Sequence, residues 1–113
     1  MTEFHDLERG DVVWGTDPLS DKGRPMLVLG TPRLPNHGLQ LITVLISTKT
    51  YHEESLTLRD DDYEGDPLGE RSHALPWSLA TLNSAAEVEF YMPSLVDERV
   101  ADVTTRSTGY ISS

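Results

Sequence analysis

Leu39-Gln40-Leu41-Ile42-Thr43-Val44-Leu45-Ile46-Ser47 decides the fold. Isoleucine, valine and threonine branch at Cβ, lose side-chain freedom in a helix and pack well on a pleated surface. An almost wholly apolar run of this kind predicts a strand near the centre of a sheet. Upstream, Pro25 to Leu29 predicts a second strand, ended by Gly30. Thr31 to Gly38, with two prolines, Asn36 and a glycine, predicts the loop between them. Thr16 to Gly23 is rich in Asp, Pro, Ser and Gly and predicts another loop, preceded by a short strand at Asp11-Val12-Val13-Trp14.

Downstream, Glu54 to Leu58 alternates polar and apolar, as a half-exposed strand does. Arg59 to Arg71 is an acidic excursion containing Gly65, Pro67 and Gly69. His73 to Leu82 predicts a strand pair or one bent strand, with Pro76 at a bend or an edge. Val88 to Met92 is the last predicted strand. A helix should then begin near Pro93 and Ser94, with Ser94 as its cap and Asp97 and Glu98 in the first turn. Leu95, Val96, Val100 and Val103 share one face, and Gly109 marks the predicted end. The sum is a mainly β chain, a small SH3-like barrel of about seven strands with one C-terminal α-helix.

The 113 residues make a single domain spanning 1–113, with no internal repeat or linker. Its core is modest, and dimerisation would help it. There is no cysteine, which excludes disulfides and thiolate metal sites. No run of about 18 apolar residues exists to span a membrane. The acidic opening, Met1 to Asp6, lacks a basic and apolar leader pattern, so a soluble cytoplasmic protein is expected.

Charge is the unusual feature. Asp and Glu number 19 against nine Lys and Arg, a net of −10, and only Lys22 and Lys49 are lysines. Self-repulsion at that charge weakens a small fold in dilute buffer, whereas concentrated salt shortens the Debye length to about 3 Å and screens it. The composition reads as halophilic, with an ordinary acidic protein as the alternative. Nucleic acid is not excluded as a partner, because strong salt screens long-range steering for every protein.

Taken in order, the segments resemble the PemK/MazF family. The resemblance rests on Arg9-Gly10-Asp11-Val12-Val13-Trp14 as an entry strand and Gly23-Arg24-Pro25 leading into Met26-Leu27-Val28-Leu29. It continues with Ile46-Ser47-Thr48 closing the long strand, the acidic stretch from Asp62 to Ser72, and the C-terminal helix. It covers about residues 9 to 111. It implies an endoribonuclease toxin (an mRNA interferase) of a type II toxin–antitoxin system, cutting single-stranded RNA without a metal or cofactor. It also implies a homodimer and an antitoxin partner with a disordered tail. Against so acidic a toxin, an acidic tail is expected to dock mainly through apolar contacts. The same fold serves CcdB-type toxins, which bind a topoisomerase and cut nothing. A catalytically silent MazF/CcdB-like binding module acting through protein partners is therefore the alternative.

By the resemblance, Arg24 falls on the arginine that contributes to RNA cleavage, and Ser47 on a position that is often threonine. Thr48 replaces Ser47 if the register slips by one, because side chains alternate faces. Asp21 stands where the family often has a glutamate. Where many members carry an acid and a glutamine, this chain has Leu75-Pro76-Trp77-Ser78, a departure that favours the silent module.

Residue chemistry supplies the candidate roles. Cleavage of RNA by its own 2′-hydroxyl needs a base, a holder of the growing phosphate charge, and an acid for the leaving oxygen. Arg24 suits the second role, since its guanidinium forks onto two phosphate oxygens. Its other reading is a structural ion pair with Asp17 or Asp21. Ser47 or Thr48 can donate a hydrogen bond to the phosphate, or simply end a strand on a local backbone bond. Lys49 adds charge at the same strand end, unless it is only a solvated surface group. His73 is the foremost candidate proton acceptor, with His52 behind it, because an imidazole can both take and give a proton near neutrality. Both also read as plain strand or loop residues. Tyr51 and Tyr63, in predicted loops, are candidates for stacking on bases, whereas Trp14 and Trp77 fit a core better. Asp60-Asp61-Asp62-Tyr63-Glu64-Gly65 imitates the opening of a calcium loop, but Arg71 stands where the bidentate glutamate belongs, so a solvated acidic loop is the better reading.

Overall fold

The long apolar run lies inside the sheet from Leu41 to Ser47, with strands paired on both sides, whereas Leu39 at its predicted start pairs with Arg33 in a separate hairpin. The computed structural model describes residues 3–17, 20, 22–49, 53–66 and 71–113, the side chains of Phe90 and Tyr91 aside. In chain order the strands are β1 (Val12–Thr16), β2 (Gly23–Gly30), β3 (Arg33–Leu34), β4 (Gly38–Leu39), β5 (Leu41–Ser47), β6 (Leu56–Leu58), β7 (Ser72–Leu82) and β8 (Val88–Met92). One α-helix, α1 (Asp97–Ile111), follows. Six strands form an antiparallel sheet in the order β6-β7-β5-β2-β1-β8, and β3 and β4 pair separately. The architecture is therefore the mainly β fold with one C-terminal helix that the pattern predicts. No helix among the described residues is long and apolar enough to cross a membrane.

Both faces of the sheet are covered. On one, Val12, Leu27, Val44, Ile46, Leu56 and Ala74 pack with Val100 and Val103 of α1 and with Leu95 and Tyr63. On the other, Val13, Met26, Val28, Leu41 and Leu82 pack with Leu7 and Leu39, and Phe4 lies against them. Full burial of each of Val100 and Val103 contributes about 1.5–3 kcal/mol. Alternating side chains of β1, β2 and β5 thus serve two half-cores, one on each face.

Local deviations have physical causes. The predicted loop 31–38 holds β3 and the start of β4, and Gly38, where β4 begins, sits at φ +70°, a conformation that suits glycine. β7 is one strand, not two. It bulges where Val44 pairs with Leu79 but Ile46 pairs with Ala74. Pro76 sits in that bulge, where no ladder N–H is required, and its carbonyl accepts the Ser107 hydroxyl at 2.6 Å. Ser94 does not cap the helix. Its hydroxyl donates instead to Asp11 Oδ1 at 2.7 Å, and α1 starts at Asp97 without a side-chain cap. Gly109 lies inside the last turns rather than past them.

The acidic excursion begins with a 3-10 turn, Asp60–Asp62. Asp62 is buried; its Oδ2 accepts the Arg59 N–H at 2.8 Å and its Oδ1 lies 3.2 Å from Arg99 Nε. This fastens the excursion to α1, a structural use of the acid. Tyr63 follows and bridges to Leu95. Burial raises its phenol pKa above the ordinary value of about 10, Asp62 and Asp60 add to the rise, and a hydrogen bond with Ser72 opposes it. The stabilisation from the neutral phenol is complete below the unfolded value. It is lost as pH rises through the folded one, because the unfolded chain ionises first. Urea midpoints above about pH 10 should therefore fall more steeply for the unmodified chain than for Tyr63→Phe. Equal slopes would show that Tyr63 takes no part in alkaline unfolding.

Candidate active site

β1 and β2 form a hairpin with Thr16 opposite Gly23, Gly15 opposite Arg24 and Trp14 opposite Pro25. Asp17 ties the connecting loop. Its N–H donates to the Lys22 carbonyl at 2.8 Å, and its own carbonyl accepts the Ser20 N–H at 3.2 Å. Its Oδ2 accepts the Ser20 hydroxyl at 3.1 Å. Lys22 and Arg24 are thereby set at the start of β2.

The neighbouring strand brings the hydroxyls. The β2–β5 ladder pairs Met26 with Leu45. That pairing ends there, and Arg24 and Ser47, each two residues further along its strand, line one cleft. A cleft of about 220 Å³ opens at these strand ends. Among the described residues its cations are Lys22, Arg24 and Lys49, its hydroxyls are those of Ser47 and Thr48, and Trp14, Gly23, Pro25 and Ile46 also line it. Three of the nine cations, including both lysines, thus converge in a chain of net charge −10. Such a concentration of positive charge favours an anionic ligand.

Arg24 is half exposed. Its Nε lies 3.0 Å from Oδ2 of buried Asp17, an ion pair carried by charge rather than by an aligned hydrogen bond. Of the two acids weighed as its partner, Asp17 fills that place. Ser47 is half-buried, and its Oγ accepts the Lys49 N–H at 3.1 Å, which leaves the hydroxyl proton available for donation. Thr48 and Lys49 are exposed.

His73 lies one strand beyond, paired directly with Ser47 across the β5–β7 ladder and with Thr57 across β6–β7. Thr57, His73 and Ser47 therefore form a transverse row. His73 is buried, its Nδ1 is 3.0 Å from Thr57 Oγ1, and it does not line the cleft. Tyr63 corrects an expectation. Its ring is a core residue, not a loop side chain open to a base, because the bridge to Leu95 carries it beneath α1. Asp21, Tyr51 and His52 lie outside the described residues. Sequence reasoning passed over Lys22 as a site residue. The available signal was its rarity, since only two lysines exist and both reach one cleft.

Neither a protein-family model nor a curated protein sequence matches the chain. Among solved structures it is similar to an endoribonuclease in complex with its cognate antitoxin from mycobacterial species. The TM-score is 0.67 at 17% identity, over 94% of this chain and 93% of that one. At that identity the likeness is one of fold.

Proposed function

We propose that this chain is a metal-free endoribonuclease toxin of a toxin–antitoxin pair and that it cuts single-stranded RNA at the cleft between β2 and β5. The observation that supports this most is the gathering of Lys22, Arg24 and Lys49 beside two hydroxyls in a strongly acidic protein. The fold shared with an endoribonuclease that binds an antitoxin agrees with it.

In this reading a backbone phosphate rests against the Arg24 fork and the Ser47 or Thr48 hydroxyl. The RNA 2′-oxygen attacks the adjacent phosphorus, the bond from phosphorus to the 5′-oxygen breaks, the leaving oxygen takes a proton from water, and a 2′,3′-cyclic phosphate and a free 5′-hydroxyl result. Arg24 holds the charge that grows on the non-bridging oxygens. His73, next in the row after Ser47, is the candidate acceptor of the 2′-proton. Its access to the cleft would require movement of the groups that bury it.

The direct test is incubation of purified protein with a long single-stranded RNA in concentrated salt. Discrete fragments ending in cyclic phosphate are expected, and a single 2′-deoxy substitution at a cut position should abolish that cut. Fragments that persist at the deoxy position would refute the attack by the 2′-oxygen.

A second reading has its own observation. Among the described residues that line the cleft, none is a carboxylate or an imidazole, so none of them offers a proton acceptor of that kind. That favours a silent module of the same fold, which would bind an anionic segment of a protein partner. Intact RNA together with a stable protein complex would select it.

A further inference from the structure

The geometry points to Asp17 as a positioning residue, one that holds Arg24 by its inner edge and so aims the outer edge into the cleft. The inference rests on the nuclease reading only for its effect on cleavage. The orientation itself is independent of that reading.

Asp17 is 5% exposed, and a carboxylate buried so far is costly unless it is paired. Its place is not adjustable. Its backbone is bonded to Lys22 and Ser20, and its carboxylate also receives the Ser20 hydroxyl. This fixed anion lies 3.0 Å from Arg24 Nε and holds it by charge, without an aligned hydrogen bond. A guanidinium carries one N–H at Nε and four on its terminal nitrogens. Among the described residues, the terminal nitrogens of Arg24 make no hydrogen bond or ion pair with the protein.

Arg99 shows the contrast. Its Nε faces Asp62 at 3.2 Å and its Nη1 faces Asp102 at 3.3 Å, so both edges serve the fold. Arg9 likewise gives Nη1 to the Leu29 carbonyl and the Thr104 hydroxyl. Arg24 is held at the inner edge and uncommitted at the outer one, and it lines the cleft. An arginine in that state loses little freedom when it closes bidentately on a phosphodiester. Asp17 therefore acts through Arg24 and never touches the substrate.

The test is a double-mutant cycle between Asp17→Asn and Arg24→Ala, with two readouts. The first is binding of a single-stranded 2′-deoxy oligonucleotide, which lacks the attacking hydroxyl and is not cut. The second is the cleavage rate on RNA of the same sequence. With Arg24 present, Asp17→Asn should weaken oligonucleotide binding roughly fivefold and slow cleavage roughly thirtyfold. In the Arg24→Ala background it should change either by less than about twofold. Equal losses in the two backgrounds would mean that Asp17 merely supports the loop, and would overturn the inference. Coupled binding losses without any RNA cleavage would leave the positioning role standing and remove the nuclease reading instead. If Asp17→Asn lacks a cooperative melt, Ser20→Ala takes its place, since Ser20 is exposed and its hydroxyl steadies the same carboxylate oxygen. A loss of roughly twofold with Arg24 and none without it supports the role, and equal losses overturn it.

Discussion

Arg24→Ala should slow RNA cleavage by about two to three orders of magnitude, the usual consequence of removing one preorganised donor from a growing oxyanion. Loss of folding is the competing explanation, and magnitudes separate the two. The substitution leaves Asp17 buried without its cationic partner, a real cost. Yet the Arg24 side chain is 42% exposed, so water screens the pair and the stability at stake is about 1 kcal/mol. That lowers the melting temperature by about 4–8 °C, which leaves nearly all molecules folded at the assay temperature. A hundredfold rate loss then reports the missing guanidinium. Arg24→Lys sharpens the case. It keeps a charge near Asp17 but has no planar fork, so stability should recover while most of the rate loss persists. Full activity in either variant would show that Arg24 is only a structural partner of Asp17.

The strands were legible because their signals are local. Val88 to Met92 and the apolar run ending at Ser47 carry their periodicity in their own residues, and both form where that periodicity puts them. Ser94 was misleading for the complementary reason. Serine before a pair of acids is a cap by local rules, but its hydroxyl found Asp11, 83 residues away in the chain. No local rule contains that partner. Tyr63 likewise sits among acids and reads as surface, and only the bridge to Leu95 buries it.

At the candidate site, Arg24 and Ser47 were legible as a pair because each stands at the end of a recognisable strand, and both line the cleft at those strand ends. The choice between Asp17 and Asp21 was not legible. Two acids in one loop are equivalent in sequence, and the backbone bonds from Asp17 to Lys22 and Ser20 are what turn Asp17 inward. Lys22 carried no pattern at all. A lysine acquires meaning only from the company it keeps in space.

Gly23→Ala should destabilise the chain by about 1–3 kcal/mol, against the general trend for that substitution. Glycine within a strand ordinarily weakens it, and alanine in an accessible conformation gains about 0.4–1 kcal/mol by restricting the unfolded chain. The backbone at Gly23 is not in the left-handed region, so conformation does not oppose the change. The opposition is steric. The Trp14 indole lies across Gly23, and an added Cβ would overlap its Nε1 and come within 2.8 Å of Cδ1 and Cε2. An indole is a rigid plate near its attachment, not the yielding tip of a long side chain, so the whole ring must swing away.

Trp14 also lines the cleft, and its displacement would carry off one wall of the site. The clash therefore outweighs the entropic gain, and binding of the oligonucleotide should weaken along with the fold. Thermal melting and tryptophan emission read this together. The emission change should arise from Trp14 alone, because Trp77 packs edge-on against Tyr110 elsewhere. The decisive control reverses the sign. In a Trp14→Ala background the ring is gone, and Gly23→Ala should become neutral or stabilising. A Gly23→Ala variant as stable as the unmodified chain would mean that the indole does not rest on the glycine. The cleft would then have no fixed wall on the β1 side.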